Sequence, residues 1–342
     1  MDNFSEQDWA YAYGTPQATG VFKHCVEDFV VKEDLGFELS DSGEHVCVKI
    51  RKKGVGTAHI VKTLAQHLSV KERDIGYAGL KDRQGICEQW FSLYVGKNRD
   101  VDLTPILGEQ IELLDTKRNE RKIRRGSHKG NIFEIRLRNV HGSREALEER
   151  LQAIAREGVP NYFGEQRFGF GNSNIEQALK LFRGELRLRP GFKRGMLLSA
   201  ARSFLFNEIL SARVQGNTWN QYLDGDVLNL QGSHSVFVPE QWDETLQQRL
   251  LEHDIHPTGA LWGKGKYKAS ADCAALEQAL VEQYAELRDG LLKFGLEHDR
   301  RSLRLLIDNL QWQLTETELL LQFSLPSGAY ATTVLREVLA LN

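Results

Sequence analysis

Apolar residues recur in two different rhythms along this chain. Over its first part, residues 28–33 (DFVVKE), 46–50 (VCVKI), 88–95 (EQWFSLYV) and 132–137 (IFEIRL) are rich in β-branched and aromatic side chains and predict half-buried strands. Between them the spacing lengthens to that of a helix. Val61, Leu64, Ala65 and Leu68 share one helical face behind Thr57, the expected cap. Leu147, Leu151 and Ile154 share another behind Ser143, with Gly158 and Pro160 as its stop. The combination is α+β, with a mostly antiparallel sheet as organiser.

From residue 161 to about 301 the helical rhythm dominates. Helices are predicted at 174–182, with Gln177 placed for a capping box, and at 197–214, 240–253 and 272–294. Short strand-like pieces at 226–230 and 235–238 interrupt them. Strand patterns return at 303–307, 311–315 and 319–325, before a helix from about 332 to 341. A segment of roughly 40 residues is too short to bury a stable core alone, so this one should rejoin the first sheet. The expected organisation is a discontinuous domain, residues 1–155 and 303–342, carrying a largely helical inserted domain, 156–302.

Composition narrows the classes. No apolar run approaches the roughly 18 residues that span a bilayer, and MDNFSEQDWAY has neither a basic nor an apolar leader segment, so a soluble, cytoplasmic protein without membrane contact is expected. Cys25, Cys47, Cys87 and Cys273 stand far apart, with no paired spacing and no histidine arranged like a zinc site. Such isolated thiols suit a reducing compartment, and no metal is expected. A net charge of -3 argues against a protein that coats nucleic acid. Its distribution differs: residues 117–129 (KRNERKIRRGSHK) carry seven basic side chains against the single acid Glu120, making this stretch +6 and the rest of the chain -9. Both a solvated basic face and a patch that draws a polyanion fit that separation.

Four stretches can carry chemistry. Residues 76–85 (GYAGLKDRQG) hold one carboxylate, Asp82, between Lys81 and Arg83, beside glycines that free the backbone. Flanking cations favour the ionised form that nucleophilic attack requires. The same residues also make an ordinary turn, and both readings stand on this stretch alone. In 129–133 (KGNIF), Lys129 and the Asn131 amide adjoin Phe133, which either stacks on an unstacked base or, sharing a strand face with Ile135 and Leu137, belongs to the core. Residues 161–169 (NYFGEQRFG) interleave Tyr162, Phe163 and Phe168 with Arg167, which suits stacking with phosphate contact, or a packed hinge. Lys23 precedes Glu27 and Asp28 and can reach a carboxylate across the sheet. Arg187, Arg189, Lys193 and Arg194, then Lys264, Lys266 and Lys268, can extend a basic surface. Asp224 and Asp226 (LDGD) look like a metal box but read better as a hairpin turn, since no further acids follow at ligand spacing.

Taken in order, EDFVVKE, GYAGLKDRQGICEQWF, KGNIF, NYFGEQRFG and LPSGAYATTVLRE resemble the tRNA pseudouridine synthase D (TruD) family over essentially the whole chain. The resemblance implies a pseudouridine synthase fold with a family-specific insertion, an isomerase of RNA modification and tRNA processing, and uridine 13 in the tRNA D arm as substrate. It implies Asp82 as the catalytic aspartate, Phe133 stacking on the target base, Asn131 in the same motif, and Lys23 as the basic residue near the aspartate. Lys81, Lys129 and Arg167 join as substrate-binding residues. The family often has alanine and threonine where this chain has Gly85 and Cys87, which removes a threonine hydroxyl from the loop. The reaction conserves atoms, so no cofactor is expected, and the chain has no Rossmann fingerprint or P-loop. The expected partner is tRNA, with no obligatory protein partner and a monomeric chain. Whether Asp82 attacks C1′ or removes the C2′ proton to give a glycal stays open, as does the base at C5.

Two other classes compete. A noncatalytic tRNA-binding chaperone needs the basic patch but not Asp82. A methyltransferase needs a glycine-rich donor loop after a strand, and none is found.

Overall fold

The computed structural model describes residues 9–97 and 100–341. The leader-segment reading of the chain start falls mainly on residues 1–8, outside the described residues. The chain divides into two compact units, one of residues 17–149, 307–331 and 339–341, the other of residues 9–16, 150–306 and 332–338.

The first unit is built on a ten-stranded sheet. Its main order is Asp308–Leu314, Glu318–Pro326, Gly130–His141, Phe29–Asp34, Ile86–Tyr94, His45–Lys53, Ile111–Asn119. Along this path only Phe29–Asp34 and Ile86–Tyr94 run parallel, through Val30 opposite Ile86. The sheet is therefore mostly antiparallel, as the alternating pattern required. The late strands do rejoin it: Glu318–Pro326 pairs residue for residue with Gly130–His141, from Glu318 opposite Arg138 to Pro326 opposite Gly130.

The Thr57–Leu68 helix buries Ile60, Val61, Leu64, Ala65 and Leu68 with Val46, Val48, Ile50, Phe91 and Leu93 of the sheet. Burying side chains of this size contributes about 1.5–3 kcal/mol each before entropy is counted. Thr57 is not its cap. Gly56 takes that position, and the Thr57 hydroxyl is turned to other partners described below. The basic stretch divides between the end of the Ile111–Asn119 strand and the segment that follows it.

The second unit packs the helices Ser173–Arg183, Phe192–Gln215, Ala271–Gln283 and Ala285–Lys293 with a four-stranded sheet ordered Val236–Phe237, Leu228–Leu230, Ile255–Leu261, Asp299–Ser302. Residues 9–16, 150–155, 303–306 and 332–338, expected in the first domain, cluster here. Their side chains account for it: Trp9 stacks on Tyr162 at 5.7 Å, the Tyr13 hydroxyl donates to Gly158 O at 2.6 Å, and Ala12 N donates to Glu337 Oε2 at 3.0 Å.

Three local expectations change in this unit. The predicted helix 272–294 is two helices broken at Tyr284, whose hydroxyl donates to Glu208 Oε2 at 2.8 Å while its ring meets Phe204 edge-on at 5.0 Å. The Ser173–Arg183 helix has Asn172 at its cap position with no capping hydrogen bond, and Gln177 Nε2 donates to Ser173 O, so no capping box forms. Ile255–Leu261 (IHPTGAL) was not anticipated because a proline within it argues against a central strand. Pro257 stands opposite Leu228 at the last position of the pairing with Leu228–Leu230, and the pairing with Asp299–Ser302 begins one residue later, at Thr258.

Two buried arginines in this unit are paired with carboxylates. Arg213 holds Asp226 with two bonds of 2.7 and 2.8 Å, and Asp226 closes the 223–226 turn by accepting from Leu223 N. LDGD is thus a turn, but it follows the Phe192–Gln215 helix rather than a strand, so it is not the hairpin turn expected there. Arg300 donates to Glu277 at 2.8 Å and to Thr258 O at 2.6 Å. Removing one member of such a pair strands the other, at several kcal/mol.

His256 adds an acid-sensitive group. Arg304 Nε donates to its Nδ1 at 2.8 Å, so its proton sits on Nε2, which reaches Gln231 Oε1 at 2.7 Å. Burial, then the Arg304 and His253 charges, push its pKa down from 6.5 to about 3. Below about 6.5 the unfolded chain takes up a proton that the fold refuses, so this stability is complete above that pH and is lost as pH falls toward 3. The expected loss between pH 7 and pH 5 is about 2 kcal/mol. Urea unfolding of the native chain and His256→Asn at both pH values checks this. The variant should lack that increment, and equal losses in the two chains would refute it.

Candidate active site

The loop after the short Ile75–Tyr77 strand, residues 78–85, is tied down along its length. Ala78 O accepts from Gly126 N at 2.7 Å and Gly79 O from Gln89 Nε2 at 2.5 Å. Lys81 N donates to the Thr57 hydroxyl at 2.9 Å, and that hydroxyl donates to Gln89 Oε1 at 3.0 Å. Asp82 O accepts from Lys52 Nζ at 2.5 Å, with Cys87 Sγ 3.6 Å away, and Gly85 O accepts from Gly54 N at 3.2 Å. Gly85 is required by a close approach, since a Cβ there would lie 2.7 Å from Phe29 O. Lys52 is completely buried, donates also to Val55 O at 2.7 Å, and burial lowers its pKa. Burial raises that of Cys87.

Neighbouring side chains leave this loop in opposite directions. The Lys81 ammonium turns inward to Glu33 Oε1 at 2.7 Å, both ends buried, while Glu33 Oε2 accepts from Trp90 N at 3.0 Å. Asp82 turns outward with its side chain 55% exposed. Lys23 Nζ lies 3.8 Å from Asp82 Oδ1 and 4.0 Å from the centre of the Phe29 ring. Lys23 itself has φ 56°, a conformation costly for a non-glycine residue, which only its surroundings can hold.

Phe133 is 6% exposed. Its ring lies between Phe323, 5.4 Å away and nearly parallel, and Phe29 at 6.1 Å; Phe29 in turn meets Phe22 edge-on at 5.5 Å. This is the core environment that strand periodicity described, extended into an aromatic row whose Phe29 carries the Lys23 ammonium. Asn131 sits in register opposite Glu33 and Leu325, and its Oδ1 is buried with no hydrogen-bond partner. Lys129 is exposed; its backbone N donates to Asp34 O at 3.0 Å, and its O accepts from Ser327 N at 2.9 Å. Lys23, Lys81, Asp82, Lys129, Asn131 and Phe133 thus all belong to the first unit.

Arg167 belongs to the second unit, where Nη1 donates to Ser199 Oγ at 3.0 Å and the guanidinium lies 5.5 Å from the Phe163 ring centre. Tyr162, Phe163 and Phe168 are buried there, so the aromatics of NYFGEQRFG pack rather than face solvent. The fully exposed aromatic is the next one, Phe170. Sequence reading also passed over Leu80, 63% exposed two residues before Asp82, and His128. A Cβ at Gly79 would lie 3.4 Å from His128 Cε1 and 3.8 Å from Lys81 Nζ. His128 Nδ1 is buried without a partner, and burial followed by the Lys81 charge lowers its pKa. Among the described residues no cluster of His, Cys, Asp and Glu can hold a metal ion, and no helix is long and apolar enough to cross a membrane.

The chain that presents this carboxylate on a tied loop, in a mostly antiparallel sheet, matches a known class of tRNA-modifying enzymes. The family model for tRNA pseudouridine synthase D (TruD) matches residues 8–187 and 174–338. A tRNA pseudouridine synthase D from Nitrosococcus oceani is 45% identical over 340 residues, covering 98% of this chain and 95% of that one. One from Aeromonas salmonicida is 44% identical over 330 residues, covering 96% and 93%. A solved Methanosarcina mazei chain described as a tRNA pseudouridine synthase D shares the fold, with TM-score 0.73 at 23% identity, covering 96% of this chain and 95% of that one. The chain belongs to the tRNA pseudouridine synthase D family.

The clamp from Lys52 makes a testable demand. In Lys52→Met the buried Val55 O and the part-buried Asp82 O lose the ammonium donor, at about 1–3 kcal/mol each. Urea unfolding should show a loss of about 2–5 kcal/mol. A variant within about 0.5 kcal/mol of the native chain would remove the clamp from the account.

Proposed function

We propose that this chain is a tRNA pseudouridine synthase that converts uridine 13 of the D arm to pseudouridine, with Asp82 as its essential carboxylate. A single observation carries the assignment of Asp82: the half-exposed carboxylate stands on a loop fixed at five backbone groups, with the Lys23 ammonium 3.8 Å away. Family membership supplies the reaction class.

The reaction breaks the N1–C1′ bond of uridine and forms a C5–C1′ bond; C5 loses a proton and N1 gains one. No atom or electron is gained overall, so the stoichiometry calls for no redox partner, group donor or nucleotide hydrolysis. The uridine must leave its stack, at a cost of a few kcal/mol, to bring C1′ to a carboxylate. Asp82 then acts as nucleophile at C1′ or as base at C2′, and Lys23 balances its charge. The unpartnered Asn131 oxygen offers an acceptor for the uracil N3–H. Phe133 lies in the aromatic row next to Phe29, and Lys81 serves by fastening the loop to Glu33. Lys129, and Arg167 with Phe170 in the helical unit, contact RNA beyond the target base. We assign the chemistry to the sheet-based unit and an RNA-contacting role to the helical one. The protein works as a monomer.

Asp82→Asn tests the assignment. Carbodiimide labelling and primer extension on unmodified tRNA incubated with the protein alone should show a stop in the D arm with the native chain. With the variant that stop should fall by at least about 1,000-fold in rate, while tRNA affinity stays within about threefold. A variant that still isomerises would exclude Asp82. A native chain that binds tRNA but yields no product would favour a chaperone.

A further inference from the structure

The basic segment does more than carry surface charge. Residues 122–126 lie alongside the Ile75–Tyr77 strand, fastened by Ile123 N to Ser92 Oγ at 2.9 Å and by Gly126 N to Ala78 O at 2.7 Å, with the Ile123 side chain buried. Gly76 permits the approach, since a Cβ there would lie 2.4 Å from Ile123 O. The two segments border an open groove of about 550 Å³. Its charged lining is Arg73, Lys122, Arg124 and Arg125 against the single acid Glu72. Tyr77 forms part of the wall, with the Arg125 guanidinium 5.2 Å from its ring centre and donating to its hydroxyl at 2.7 Å.

Not all of these cations are equally available. Lys122 Nζ is spent on Arg73 O at 2.5 Å, while Arg124 and Arg125 are exposed and the Arg73 guanidinium has a loose contact to Asp74, at 3.9 Å. Like charges crowded in one concavity repel unless a counter-charge enters, and a polyanion is the partner whose spaced charges can meet several at once. The groove also has a fixed relation to the proposed chemistry. Tyr77 and Asp82 are five residues apart, so their Cα atoms lie within about 18 Å even if the chain were fully extended.

We infer that this groove is a phosphate-docking site for the RNA strand beside the target uridine, in which Arg124 and Arg125 contact backbone phosphates while the Asp82 loop receives the nucleoside. The inference rests on the tRNA reading above and names where the strand is held. Phosphate contacts fix register without reading sequence, so the groove contributes affinity and positioning rather than base choice.

The test uses the full chain and an unmodified tRNA transcript, with affinity measured between about 50 and 200 mM salt. Arg124→Gln with Arg125→Gln should weaken binding about tenfold at about 100 mM salt and flatten the log–log salt slope by about 1.4–1.8. The single-turnover rate at subsaturating tRNA should fall about tenfold, in step with the affinity. Arg124→Lys with Arg125→Lys keeps the charge and should recover most of the slope. Unchanged affinity and slope in the glutamine pair would overturn the groove, as would a loss that lysine does not recover. Polyglutamate competing as well as tRNA would also overturn it and assign the groove to an acidic protein. Asp82→Asn, run alongside, should keep the native slope. A native chain that binds with a steep slope yet makes no pseudouridine leaves the groove standing and fails the chemistry alone.

Discussion

An ammonium group with no access to water holds the Asp82 carbonyl from inside the sheet. Burying Lys52 costs free energy, and the observed geometry offsets it only because Val55 O and Asp82 O both accept from the charge. Thr57 and Gln89 continue the arrangement, each bonding once to the loop backbone and once to the other. The loop therefore has little freedom to rearrange, and the freedom that remains belongs to the outward side chains. That is the condition electrostatic preorganisation requires: the charge is positioned before the ligand arrives.

The same constraint assigns different work to the three lysines nearest the loop. Lys52 binds backbone, Lys81 binds the buried Glu33, and Lys23 alone approaches the Asp82 carboxylate. At 3.8 Å that last contact is longer than a tight ion pair, and the ammonium is held as much by the Phe29 ring as by the acid. A tighter pair would occupy the carboxylate oxygens that the proposed chemistry needs.

Much of the sheet was legible because a half-buried strand writes its face into every second residue: 132–137 lies within Gly130–His141 and 319–325 within Glu318–Pro326. The discontinuous sheet followed from length alone, since the late strands had to pair elsewhere. The roles of Lys52 and Thr57 left no such mark. A buried polar group that serves one carbonyl has no period, and Thr57 before an apolar helical face reads as a cap whether or not its hydroxyl is used for one. The 161–169 stretch kept two readings open for a related reason. With no regular element to set a face, nothing in its sequence separates Phe168, which is buried, from Phe170, which is exposed.

Charge counting was informative in sign but not in detail. Seven cations in 117–129 suggested a solvated basic face or a patch for a polyanion, yet Arg118 donates to Gly43 O and Gly96 O, and Lys122 donates to Arg73 O. Cations used this way fasten the backbone that carries the others, so the patch is partly its own scaffold. What remains for a partner is a smaller set, set beside Tyr77 and Arg73 on one wall of a groove rather than spread along a strand. A concentrated set of this kind suits an otherwise acidic chain. It can hold one strand of a polyanion locally while the net negative charge elsewhere discourages nonspecific coating.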